Sequence, residues 1–236
     1  MIKTQNITKH YHGLVAVDDL TFSVEPGEVL GFLGPNGAGK STTMRMIAGF
    51  VVPTSGSASI CGFDVATQPI AAKTALGYLP EGAPNYGEMT VTGFLDFIAD
   101  VRALEGAARR TRLDYVIGRL QLEGVLEQSI ETLSKGFKRR VGLAQAIVHD
   151  PKVLILDEPT DGLDPVQKHE VRTLISEIAK EKTIVISTHI LEEVDAVCTR
   201  AIIIAHGKLV ADDTPAGLKA RAPSGRLDDV FRAVAA

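Results

Sequence analysis

The chain has 236 residues, 45% hydrophobic and 23% charged, which excludes disordered, collagen-like and membrane-bundle classes and suffices for one large domain or two small ones. The sum of 25 Lys and Arg against 29 Asp and Glu leaves a formal charge of −4. With only four Tyr, eight Phe and no Trp, neither a strongly basic nucleic-acid binder nor a base-stacking platform is expected.

No apolar run approaches the roughly 18 residues of a membrane helix. Residues 1–6 lack the charged-then-apolar order of a secretory signal, so a cytoplasmic location is expected. Cys61 and Cys198 stand outside any Cys-x-x-Cys and read as inert core thiols in a reducing compartment.

Early in the chain, Leu20, Phe22 and Val24 alternate with Thr21, Ser23 and Glu25, the period of a half-buried strand, and Pro26-Gly27 turns it. Val29–Leu33 reads as a buried strand. A Gly-rich loop follows, then a helix is predicted over 41–50. The loop Gly34-Pro35-Asn36-Gly37-Ala38-Gly39-Lys40-Ser41 fits Gly-x-x-x-x-Gly-Lys-Ser/Thr at every fixed position. Small residues let successive backbone N–H groups wrap phosphate oxygens, and the following helix points its positive end at the same anion. Lys40 is expected on the β- and γ-phosphates and the Ser41 hydroxyl on Mg²⁺.

The middle of the chain, 90–128, reads as helical. Phe94, Leu95, Ile98, Val101 and Leu104 form one stripe with Asp96 and Asp100 off it, and a second helix is predicted over 109–120. Strands and helices then alternate: a strand over 152–157, a helix over 165–180, the strand Thr183–Ser187, the helix Leu191–Val197 and a strand over 201–205. Val171, Leu174, Ile175 and Ile178 form the apolar face of the 165–180 helix, which Asp164 caps with Pro165 in its first turn. This order predicts a largely parallel sheet covered by helices. A last helix over 227–234 places Leu227, Val230, Phe231 and Val234 on one side. The strand over 152–157 delivers Asp157-Glu158 at its C-terminal edge. Asp157 there is expected to hold Mg²⁺ through water, and Glu158, at the turn, to accept a proton from the attacking water.

The phosphate loop and the carboxylate pair, with Leu133-Ser134-Lys135-Gly136-Phe137 some twenty residues ahead of Asp157, resemble an ABC transporter ATP-binding subunit over nearly the whole chain. The 133–137 segment resembles the family's Leu-Ser-Gly-Gly-Gln. The fold this implies is α/β: a P-loop NTPase core with a mostly parallel sheet, an N-terminal antiparallel β subdomain and an inserted α-helical subdomain. Residues 1–236 would form one such domain, with 1–85 and 150–236 as the core and 86–149 as the helical part.

The resemblance further implies Tyr11 on adenine, Asn36, Gly37, Ala38, Gly39, Lys40, Ser41 and Thr42 on phosphates, and His189 on the γ-phosphate. Pro159-Thr160-Asp161-Gly162-Leu163-Asp164 resembles the D-loop that crosses a dimer interface. Ser134, Lys135 and Gly136 would complete the site from a partner subunit, in a homodimer or heterodimer. Two departures stand out. Glu81, in Leu79-Pro80-Glu81, replaces the usual Gln near Mg²⁺, and a carboxylate does not donate a hydrogen bond unless protonated. Lys135 and Phe137 replace the first Gly and the Gln of the signature.

Lys138, Arg139 and Arg140 follow at a helix start, where cations oppose the helix dipole. They read either as a positive field toward the partner's ATP or as a solvated basic face. Both departures occur together in ATPases of ABC-2-type exporters, which 79–81, 133–147 and 186–200 resemble. The resemblance implies ATP and Mg²⁺ as ligands, hydrolysis coupled to export by a separate transmembrane permease subunit, and a location on the inner face of the membrane. That subunit would dock beside Glu81 and the helical region, at Tyr86, Met89 and Phe94. Rival classes are a soluble ABC-type ATPase acting on ribosomes or DNA, a P-loop GTPase or kinase, and a non-catalytic ATP-binding partner. The intact Lys40, Asp157, Glu158 and His189 argue against the last.

Overall fold

Residues 1–82, 86–222 and 224–235 are described by the structure, a computed structural model. In chain order the elements are β1 (Ile2–Tyr11), β2 (Leu14–Val24), β3 (Val29–Leu33), α1 (Lys40–Ile47), β4 (Ser55–Ile60), β5 (Phe63–Asp64), α2 (Pro69–Thr74), β6 (Leu76–Leu79), α3 (Val91–Val101), α4 (Gly106–Arg119), α5 (Lys135–Ile147), β7 (Val153–Asp157), α6 (Pro165–Ile178), β8 (Thr183–Ser187), α7 (Leu191–Val197), β9 (Arg200–Ala205), β10 (Lys208–Asp213), α8 (Pro215–Ala220) and α9 (Leu227–Ala235). Short 3₁₀ turns over Glu123–Val125 and Ile130–Thr132 lead into α5.

Two sheets result. The first is antiparallel, in the order β2-β1-β4-β5. The second runs β10-β9-β3-β8-β7-β6 and is parallel except for β10. Its central strands β3, β7 and β8 are buried along their whole length, as parallel strands covered on both faces must be. Side-chain alternation still sorts them. Leu154, Leu156, Ile184 and Ile186 join the core under α3, α5 and α6. Val153, Ile155 and Val185 face the opposite core, with Met44, Met46 and Ile47 of α1 and the first sheet.

Several sequence expectations need correction. The helix predicted over 41–50 stops at Ile47, because Gly49 takes a left-handed φ of +71° and turns the chain, leaving Phe50 64% exposed. On α3, Phe94 and Leu95 are buried, but Val101 is 64% exposed and leaves the predicted stripe. The helix predicted to Lys180 ends at Ile178. Leu227 and Val230 of α9 are buried as expected, while the side chain of Val234 lies outside the described residues. Both cysteines are free and half-buried rather than fully in the core, and burial pushes the Cys198 thiol up to about 12.

The basic run at the start of α5 is neither a solvated face nor a field aimed outward. Arg139 and Arg140 are buried, at 4% and 5% exposure. Arg140 donates to Leu120 O at 3.0 Å and lies over the Phe137 ring, 4.2 Å from its centre. Lys138 donates to Glu131 O at 2.7 Å. Backbone carbonyls thus offset the opposed dipole.

The C-terminal end of α5 meets β6 in a second cationic setting. Arg112 donates to Ile147 O at 2.7 Å and Val148 O at 2.9 Å, and Arg102 to Lys73 O at 2.7 Å. His149 Nε2 donates to Leu76 O at 3.0 Å. Burial, with Arg102, Arg112 and Lys182 nearby, depresses the His149 imidazole to about 4. The unfolded chain therefore binds a proton near pH 6.5 that the native state refuses until about pH 4, so stability is lost as pH falls through that window. The expected loss specific to this group is on the order of 3 kcal/mol. Urea melts of wild type and His149→Gln between pH 7.5 and 4 test this: the variant keeps the amide donor toward Leu76, and its curve falls less steeply. Parallel curves would refute the assignment.

Candidate functional site

The C-terminal ends of β3, β8, β7 and β6 open on one edge, where open parallel sheets bind ligands. From β3 the chain enters the Gly-rich loop and then α1, whose first N–H groups have no intrahelical acceptor. Gly39 is the N-cap at φ +103°, and a Cβ there would lie 2.4 Å from Ala16 O on β2. Only glycine lets the antiparallel sheet approach the loop this closely.

The cleft above the loop has a volume of about 440 Å³. One wall is Tyr11, Leu14, Val15 and Ala16 of the β1–β2 hairpin; the floor is Asn36, Gly37, Gly39, Lys40, Ser41 and Thr42. Glu81, Asp157 and Glu158 close the far side. Ala38 is not among the lining residues: its side chain is buried and its N–H donates to Pro35 O at 3.1 Å, so it braces the loop from behind. Lys40 Nζ donates to Gly34 O at 2.6 Å and Pro35 O at 3.2 Å. Burial holds its ammonium below the usual lysine range, opposed by the charges of Glu158, Asp157 and Glu81.

Parallel register sets the carboxylates. Asp157 pairs with Ser187, and Ser187 with Phe32 at the end of β3. Asp157, buried, accepts a hydrogen bond at Oδ1 from Ser187 Oγ. Glu158 leaves the strand at φ +53°, and its N–H donates to Ser187 O at 3.0 Å. Its Oε2 lies 2.9 Å from His189 Nδ1, so the nearest partner of His189 is this carboxylate. Burial pushes the Glu158 carboxyl up, and His189 opposes the shift. The His189 side chain is itself 61% exposed, free on its outer side to meet a ligand.

Ser134, Lys135 and Gly136 lie elsewhere. None of them lines the cleft among the described residues. Ser134 caps α5 by accepting from Phe137 N at 3.3 Å, and Ser134 and Lys135 are exposed. Gly136 packs beside Gly162, Leu163 and Gln167, so this turn and the 159–164 loop share one surface.

The roles of three residues of the surroundings escape the sequence reading. Ser187 orients Asp157, and Arg139 reaches the carbonyls of Pro80, Asp157 and Glu158. Glu193, 2% exposed, accepts from Thr160 Oγ1 and, at 2.8 Å, from Thr188 Oγ1, with Arg172 3.7 Å away. It thereby joins the loop after Glu158 to the loop carrying His189. The signal available was the placement of Glu193 four residues after His189, one turn into a helix.

The donor set suits Mg²⁺. Ser41 and Asp157 supply hard oxygens at the foot of the cleft, with Glu81 at its edge. Among the described residues no three His, Cys, Asp or Glu converge as a protein-only cage, and Mg²⁺ takes few protein ligands beside water and phosphate.

The ABC transporter family model matches residues 17–161. The chain is 36% identical over 230 residues to the probable multidrug ABC transporter ATP-binding protein YbhF of Escherichia coli (strain K12), covering 97% of this chain and 40% of that protein's length. It is 39% identical over 215 residues to the Nod factor export ATP-binding protein I of Burkholderia pseudomallei (strain 1710b), covering 91% and 71%. A solved structure described as the ATP binding subunit of an ABC transporter superposes with a TM-score of 0.92 at 30% identity over 99% of both chains. The dimeric MJ0796 cassette shares the fold, with a TM-score of 0.85 at 23% identity over 91% of this chain and 99% of that one. With its P-loop core, antiparallel β sheet and helical insertion, the chain belongs to the ABC transporter family and is one of its ATP-binding cassettes.

Proposed function

We propose that this chain hydrolyses ATP in composite sites formed by two cassettes and transmits their closure and reopening to a separate membrane subunit of an exporter. The observation that carries this reading is the division of the site. The phosphate loop and the carboxylates share one cleft, whereas the exposed Ser134 and Lys135 stand outside it beside the 159–164 loop. A second subunit bringing its Ser134, Lys135 and Gly136 to the γ-phosphate completes the site. Two copies of this chain, each with an intact set, are enough, and a related cassette is a possible second half.

In this reading the core is 1–85 and 150–236, with 86–149 as the helical part. Tyr11, 40% exposed at the cleft wall, stacks on adenine. The N–H groups of Asn36, Gly37, Gly39, Lys40, Ser41 and Thr42 cradle the phosphates, and Ala38 supports the loop. Lys40 exchanges its loop carbonyls for phosphate oxygens. Ser41 and Asp157 hold Mg²⁺, with Glu81 toward its water shell. When bound, the ion would supply positive charge against the negative charge that develops on the phosphate group. Glu158, raised by burial, accepts the proton of the attacking water, and His189 contacts the γ-phosphate while holding Glu158.

The helical side offers the membrane subunit an apolar surface. Tyr86, Phe97 and Val101 are exposed, and Tyr86 packs edge-on against Phe97 at 5.6 Å. Phe94, expected in this contact, is 1% exposed and belongs to the core beneath; Met89 is partly buried against it. Among the described residues no helix is long and apolar enough to cross a membrane. In this reading the chain sits at the inner face of the membrane, on the cytoplasmic side, through the contact with the membrane subunit. The export direction is supported by the name of the Nod factor export relative, and the separate permease partner by the family resemblance.

The deciding experiment is ATP hydrolysis against protein concentration for wild type and Glu158→Gln. The rate per subunit should rise with concentration, and the variant should lose about 10²-fold or more of it and run as an ATP-bound dimer. A concentration-independent rate that survives the substitution would overturn the reading.

Burial of Glu158 also has a stability signature. Its native carboxyl titrates above the unfolded value, so the ionised form destabilises the fold at neutral pH. Nucleotide-free Glu158→Gln should melt higher than wild type at pH 7.5, by roughly 2–4 °C per kcal/mol relieved. The gain should vanish as pH falls to the ordinary glutamate range. An equal gain at every pH would show that burial of the charge is not its source.

A further inference from the structure

The guanidinium of Arg139 is 4% exposed and makes its hydrogen bonds to three backbone carbonyls. Nη1 donates to Pro80 O at 3.0 Å, one residue before Glu81. Nη2 donates to both Asp157 O and Glu158 O. In an extended strand successive carbonyls point to opposite sides. Two successive carbonyls meeting one nitrogen require the chain to leave the strand between them, and Glu158 does so at φ +53°. Arg139 therefore grips the unusual backbone turn that aims the Glu158 side chain, together with the loop that presents Glu81.

Ser134, the N-cap of α5, lies five residues before Arg139 on the same helix. The helix that exposes Ser134 and Lys135 thus holds the two carboxylate loops of its own chain by one planar fork. Lysine cannot reproduce that fork, because an ammonium is a point charge on a flexible stem.

We propose that Arg139 is a positioning residue for ATP hydrolysis: it sets the backbone of Glu158 and of the Glu81 loop from α5, so that engagement of the 134–136 turn with nucleotide on a partner subunit is felt at the proton acceptor. This rests on the reading of Glu158 as that acceptor. Arg139 touches no ligand in this arrangement; it acts through Glu158.

The test compares wild type, Arg139→Lys, Arg139→Gln, Glu158→Gln and the Arg139→Gln/Glu158→Gln double variant. Steady-state ATP hydrolysis, titration with a fluorescent ATP analogue and thermal melts are read for each. Arg139→Lys and Arg139→Gln should each lower kcat at least about tenfold while the nucleotide dissociation constant stays within about twofold. Added to Glu158→Gln, Arg139→Gln should cost nothing further, because both act on one proton transfer. Should Arg139→Gln fail to fold, Arg139→Lys alone decides by the same split. Unchanged kcat, nucleotide affinity falling as far as kcat, or independent losses in the double variant would overturn the proposal. Fast Arg139 variants beside a slow Glu158→Gln would sink it alone, whereas a Glu158→Gln variant as fast as wild type would remove the acceptor assignment and this inference with it.

Discussion

The parallel register of β7 against β8, and of β8 against β3, governs the rest of the structure. It places Asp157 beside Ser187 and Ser187 beside Phe32, so the end of the carboxylate strand and the start of the phosphate loop share one edge. Parity along β7 then chooses the face. Val153 and Ile155 point into the core that contains α1, and Asp157 has the same parity, so its carboxylate emerges on the side where α1 begins. A slip of one residue would send Asp157 toward the α5 core and break its bond to Ser187. Leu154, Leu156, Ile184 and Ile186 prevent that slip by filling the opposite core.

Backbone carbonyls, more than carboxylates, hold these cations of the helical insertion: Arg102 and Arg139 join it to the sheet side, and Arg112 and Arg140 brace it internally. Arg102 reaches Lys73 and Leu76, Arg112 reaches Ile147 and Val148, Arg139 reaches Pro80, Asp157 and Glu158, and Arg140 reaches Leu120 and Gln121. A buried ion costs several kcal/mol to desolvate, and each hydrogen bond to a charged group returns about 1.5–3 kcal/mol. Two or three carbonyls per guanidinium bring such a site near balance without drawing an acidic side chain away from the cleft. Asp157, Glu158 and Glu81 stay available there, and their charges act on Arg139 only across space.

The parts of this architecture legible in the sequence were those fixed by local chemistry. The Gly-rich loop, the buried strands β3, β7 and β8, and the Asp164–Pro165 helix start each follow from residue type and period, and each lies where those signals put it. What the sequence hid depends on partners distant along the chain. Arg139 and Arg140 look like a polar run because charge alone does not say which carbonyls a helix meets. Val101 fits the spacing of a core stripe, yet at its end of α3 it is left 64% exposed among the described residues. Glu193 is one of several acids near His189, and only the arrival of Thr160 from the other loop distinguishes it. His149 is an ordinary histidine in sequence and becomes acid-sensitive only between Arg102, Arg112 and Lys182.

Glu158 concentrates the opposing demands of the site. Its left-handed backbone costs about 1–3 kcal/mol, and burial adds a penalty for its charge. Against these stand the Arg139 bond to its carbonyl, its N–H bond to Ser187 O and the His189 contact at its carboxylate. The hydrogen bonds that involve a charged group contribute about 1.5–3 kcal/mol each and the backbone bond about 0.5–1.5 kcal/mol, enough to hold the turn before any nucleotide arrives. A carboxylate already aimed, half-desolvated and raised in proton affinity has little reorganisation left to make when a water is presented to it. The backbone strain at Glu158 therefore belongs with the reactivity of its side chain. The same turn that would weaken an ordinary strand end brings the proton acceptor out of the Asp157 row and over the cleft.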